Sequence, residues 1–111
     1  VDKFIKMSEK NTKLPDEKTA DGSSTTAVDV TSAITEINAT SATHTCAMAD
    51  GSDGQIKIII NTSTSGTNAV AITPANFSNT SFTLNAPGET AVSVFKNSKW
   101  YVIGGNGFTI A

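Results

Sequence analysis

SFTLNAPGETAVSVFKNSKWYVIGGNGFTIA, residues 81–111, decides the fold class. Apolar residues recur in it at every second position: Phe82 with Leu84, Val92 with Val94, Trp100 with Val102 and Tyr101 with Ile103. A period of two is that of a strand, whose side chains alternate between the two faces of a sheet. Between the runs stand turn formers, Pro87-Gly88 after the first and Asn97-Ser98 between TAVSVF and KWYVIG, where two residues suffice to close a hairpin. The Gly-rich GGNG at 104–107 reads as a further hairpin turn, after which Phe108 and Ile110 fall in phase.

The same period runs back to residue 27. Val28, Val30 and Ile34 are in phase, and Ile37 falls out of phase, which predicts a break or bulge. THTCAM sets His44, Cys46 and Met48 on one face; QIKIIIN sets Ile56, Ile58 and Ile60 together, with Lys57 and Ile59 opposite; AVAIT sets Val70 with Ile72. ADGSDG at 49–54 and STSG at 63–66 supply turns. Composition agrees, since Thr, Ser and Asn make up 38 of 111 residues; Thr suits pleated strands, Ser and Asn suit turns, and all three suit helix interiors poorly. The expected fold is all-β, a small antiparallel β-sandwich or barrel of about eight short strands.

Charge divides the chain. Twelve of its 18 charged residues lie within positions 1–36. Residues 1–26 therefore read as a polar N-terminal arm and linker, with Phe4, Ile5 and Met7 as the apolar residues by which it docks on a partner, and residues 27–111 as the β module. A net charge of -2, with all eight basic residues Lys and no Arg, argues against nucleic-acid binding. No apolar run approaches the roughly 18 residues of a membrane span, and residues 1–10 lack the apolar core of a signal peptide, so no membrane insertion is expected.

A chain this short builds a marginal core, and its single Cys forms no internal disulfide. Ile59, Phe95, Tyr101 and Ile103 lie opposite the main apolar stripes of their strands, and with Trp100 they are the expected contacts between copies of the chain. For catalysis the residues offer little. His44 and Cys46, at i and i+2 on one face, could ligate zinc together with a symmetry mate, but a buried His beside an inert Cys is the commoner meaning of such a pair. Asp50 and Asp53 are too few for a calcium loop and read as turn residues. The lone His has no acid nearby in sequence to orient it as a base, and GGNG lacks the Lys of a phosphate loop. Neither an enzyme, a metal site nor a cofactor is expected. Sequons stand at Asn38, Asn61, Asn76 and Asn79.

The order of ADGSDGQIKIII, AITPANF, SFTLNAPGETAVSVF and KWYVIGGNGFTIA resembles a β module of tailed-phage virion proteins, those of marine phages above all, found in capsid decoration, fibre and spike proteins. The resemblance covers about residues 30–111; His44 to Cys46 depart from it, and the charged segment before Ala27 has no counterpart in it. It implies a non-enzymatic virion protein on the particle exterior, an intertwined homotrimer whose N-terminal arm attaches to the major capsid protein or another virion protein. An alternative is a carbohydrate or host-surface binding domain, with exposed Trp100 or Tyr101 as a platform for glycans.

Overall fold

A computed structural model describes residues 16–20, 25–40, 43–66 and 68–111. Among the described residues ten strands, β1 (Asp16–Ala20), β2 (Thr26–Val28), β3 (Ile34–Ala39), β4 (Thr43–Met48), β5 (Ile56–Asn61), β6 (Ala69–Pro74), β7 (Phe82–Leu84), β8 (Thr90–Lys96), β9 (Lys99–Asn106) and β10 (Thr109–Ile110), form two five-stranded sheets. The first sheet has the order β1-β3-β5-β8-β9 and the second β10-β7-β6-β4-β2. The all-β expectation holds, and no helix occurs among the described residues.

The antiparallel expectation holds only from β7 onward. Up to β6 the chain alternates between the sheets, so β1, β3 and β5 pair in parallel in one, and β2, β4 and β6 in parallel in the other. Parallel neighbours need a crossover between them, usually a helix. Here the crossover to each strand is a strand of the opposite sheet, so the first half of the chain is wound as a flattened coil. From β7 onward the pairing turns antiparallel: β7 closes on β6, β8 on β5 and β9 on β8. Alternation of side chains is the same in both kinds of ladder, which is why the sequence pattern could not separate them.

Asp16–Ala20 lies inside the stretch read as arm and linker, yet it is a strand, paired with β3 over five residues and ending in the fully buried Ala20. Folding of this sandwich therefore draws on residues before position 27. The break expected near Ile37 falls earlier, in the turn at residues 30–33, which resets the phase: Val28 points into the core before it, and Thr35, Ile37 and Ala39 after it.

The hairpin expected at Asn97-Ser98 forms as read. Both residues have positive φ, 53° and 64°, as a turn matched to the right-handed twist of its strands requires. GGNG is not a hairpin: residues 104–106 continue β9, with a register shift between Val92 and Ser93 opposite, and the chain then crosses to the second sheet as β10. Gly105 has φ 139°, and a Cβ there would lie 2.3 Å from the Thr90 carbonyl oxygen, so only glycine fits.

Candidate functional site

The inner faces of the two sheets differ in kind. From the second sheet come Cys46, Met48, Val70, Ile72, Phe82 and Leu84, all buried and all in the phase read from the sequence. The first sheet turns inward Thr35, Ile37, Ala39, Lys57, Ile59, Asn61, Ala91, Ser93, Phe95 and Trp100. Its polar members are satisfied in place. Lys57 Nζ donates to the carbonyls of Asp29 at 2.6 Å and Ser32 at 2.7 Å. Asn61 Nδ2 donates to the carbonyls of Asn68 and Leu84, and Ser93 Oγ to that of Lys57. A buried polar group so bonded escapes most of its desolvation cost.

With Lys57, Ile59 and Asn61 facing in, Ile56, Ile58 and Ile60 face out. The ladder registers bring further apolar residues beside them: Ile34 stands across from Ile58, Ile58 from Val92, Ile56 from Val94, and Val94 from Tyr101. The outward face of the first sheet is therefore apolar through its middle. Most of these side chains are half-buried, while Ile56 is 38% and Ile103 60% exposed. The second sheet turns out instead Thr43, Thr45, Ala47, Thr73 and Thr109, small and largely polar.

The expected contact residues divide accordingly. Tyr101 and Ile103 lie toward the apolar outward face. Ile59, Phe95 and Trp100 do not: they are interior residues of this chain, 0%, 5% and 0% exposed, and offer no surface to a second copy. The expectation had the inside and outside of β5 and β8 exchanged, because Lys57 in one and Ser93 in the other mark as solvent-facing a side that is in fact buried. Trp100 packs edge-on against Phe95 at a centroid distance of 5.1 Å and donates its indole N–H to the Ala49 carbonyl at 2.8 Å, so it forms no exposed platform for a glycan. Phe4, Ile5 and Met7 lie outside the described residues.

His44 and Cys46 do share a face, the inner one. His44 Nε2 and Thr26 Oγ1 share a hydrogen bond of 3.3 Å. Among the described residues, no three His, Cys, Asp or Glu side chains gather as metal ligands. Asp50 accepts from Asn76 Nδ2 at 2.9 Å on both oxygens, and Asp53 faces Lys96 at 3.5 Å, so both acids serve their turns beside an open cleft of about 620 Å³ between residues 30–33 and 50–56. Of the sequons, Asn61 is buried and bonded, whereas Asn76 and Asn79 are exposed.

Burial pushes the Cys46 thiol up to about 11 from 9.0. The folded chain thus holds this proton more tightly than the unfolded one, and the resulting stability is present below pH 9 and lost as pH rises from 9 to 11, a change of roughly 2–3 kcal/mol. Urea midpoints of wild type and Cys46→Ala should differ in slope with pH over that window and run parallel below it. Parallel curves throughout would show that the thiol carries no such linkage.

Compared with known proteins, the chain matches no family model and no curated sequence.

Proposed function

We propose that this chain is a structural module of a virion exterior, a capsid decoration or a fibre or spike element, which works as a homotrimer. The observation that carries the assembly reading is the outward face of the first sheet, where Ile34, Ile56, Ile58, Ile60, Val92 and Val94 form one apolar surface. Monomeric soluble proteins rarely leave a contiguous surface of this kind in water. The virion reading is supported by the resemblance of residues 30–111, and the number three by the same resemblance. Attachment to a major capsid or other virion protein is assigned to the segment before β1, through Phe4, Ile5 and Met7.

Light scattering during size exclusion should return three times the 11.5 kDa of one chain. A monomer whose melting midpoint does not move with concentration would remove the assembly reading. Electron microscopy of particles made with and without the gene should differ by density on the outer surface; identical particles would remove the virion reading.

A further inference from the structure

We infer that copies of this chain meet through the outward face of the first sheet, each turning the same face to the others; this rests on the assembly reading above and specifies its surface. Five strands about 4.8 Å apart and about six residues long at ~3.3 Å per residue give the whole outward face on the order of 500 Å² per copy, its apolar centre lying on β3, β5, β8 and β9 and its rim polar. In a trimer each face is divided between two neighbours, and the three faces together remove on the order of 1,500 Å² from water, above the ~1,000 Å² at which specific assembly begins.

The charges at its margins select the occupant. Glu17 and Glu36 are register partners at one corner, on β1 and β3. Lys96 and Lys99 are register partners at the diagonally opposite corner, on β8 and β9, where Asp53 meets Lys96 at 3.5 Å and leaves the corner net positive. Between them the described strands place only apolar and uncharged side chains outward. A purely acidic or purely basic partner would be repelled by one corner of this patch. A second copy carries both signs itself, and its lysines can approach the glutamates of its neighbour. An apolar centre with a charged rim is also the ordinary anatomy of a protein interface.

Ile58 lies at the middle of the face, flanked by Ile34 and Val92. Introduced as Ile58→Cys in the full chain and treated with a short bismaleimide, it should link copies covalently, while Thr45→Cys, exposed on the outward side of the second sheet, should not. The native Cys46 stays silent because it is fully buried. Ile58→Glu should shift the wild-type assembly to single chains with an unchanged far-ultraviolet spectrum. Linking through Ile58→Cys in an assembly that is not a trimer would keep this surface and remove only the number three. An intact assembly that links through Thr45→Cys and not Ile58→Cys would overturn the surface while leaving assembly standing. A wild-type monomer overturns both, and an Ile58→Cys thiol that is free in the purified protein and covered only on the particle gives the face to another virion protein and overturns the inference.

Discussion

Trp100→Ala should cost about 4–5 kcal/mol of folding stability, the upper end for deleting a large buried ring. That is a large part of the ~5–15 kcal/mol that holds a typical domain folded. Three things converge on this side chain. Its indole fills the core with no exposed surface and meets Phe95 edge-on, an arrangement of aromatic rings favourable beyond burial alone. Its N–H satisfies the Ala49 carbonyl, which the substitution leaves without that donor. Its backbone also bonds the loop after β6, donating to Asn76 O at 3.0 Å and accepting from Ser78 N at 3.1 Å, so the ring sits where the β8–β9 hairpin joins the second sheet. Gly51 lies close by: a Cβ there would come within 2.8 Å of the indole. Urea unfolding followed by far-ultraviolet circular dichroism should place Trp100→Ala far below wild type, with Trp100→Phe between them. A loss under 2 kcal/mol for the alanine variant would show that the sandwich does not depend on this ring.

Trp100 also shows where sequence reading succeeded and where it stopped. Strand existence was legible nearly everywhere after residue 27, because apolar alternation and turn residues agree there. In the second sheet the inward phase was legible too, since His44, Cys46, Met48, Val70, Ile72, Phe82 and Leu84 alternate with Thr and Ala and are buried as read. In the first sheet the inward stripe of Trp100 and Val102 on β9 was legible, but β5 and β8 were read inside out. β5 has isoleucines on both faces, and the face that also holds Lys57 and Asn61 looks the more polar; only the carbonyls at Asp29 and Ser32, 25 or more positions away in sequence, make it the inner one. In β8 the choice between Val92 with Val94 and Ala91 with Ser93 and Phe95 was likewise settled by what the opposite sheet supplies. Ile and Val are favoured in strands whichever face they take, so their strand propensity gives no sign that these turn outward, and it is there that the candidate interface lies.

Parallel pairing and β1 escaped for a related reason. DEKTA has one apolar residue at its end, and its strand state rests on a neighbour already in place, β3, rather than on its own pattern. A ladder partner 19 positions along the chain leaves no local mark in composition. Tertiary context decides such segments.

Lys57→Met should lower stability by about 3 kcal/mol and the melting temperature by on the order of 10–15 °C. Methionine matches the length of the lysine stem and buries readily, so the loss isolates what the ammonium does. Lys57 has no exposed surface, and its Nζ donates to two carbonyls of the turn that carries the chain from β2 in the second sheet to β3 in the first. Gln55 Nε2 donates to the carbonyl of Val30 in the same turn, so Lys57 of β5 and Gln55 two positions before it hold the turn together. Without the ammonium, the Asp29 and Ser32 carbonyls lose a charged donor in a place where Ser32 itself is buried, and each such loss costs about 1–3 kcal/mol before the apolar gain of methionine offsets part of it. The turn also sets the phase of β3, and through the Ile34 to Ile58 register it fixes which side chains of the first sheet face outward. Amide exchange should therefore rise first along β3 and its partner β1 in the variant, ahead of the second sheet. A Lys57→Met chain as stable as wild type, with exchange unchanged in β3, would show that the turn holds without its lysine.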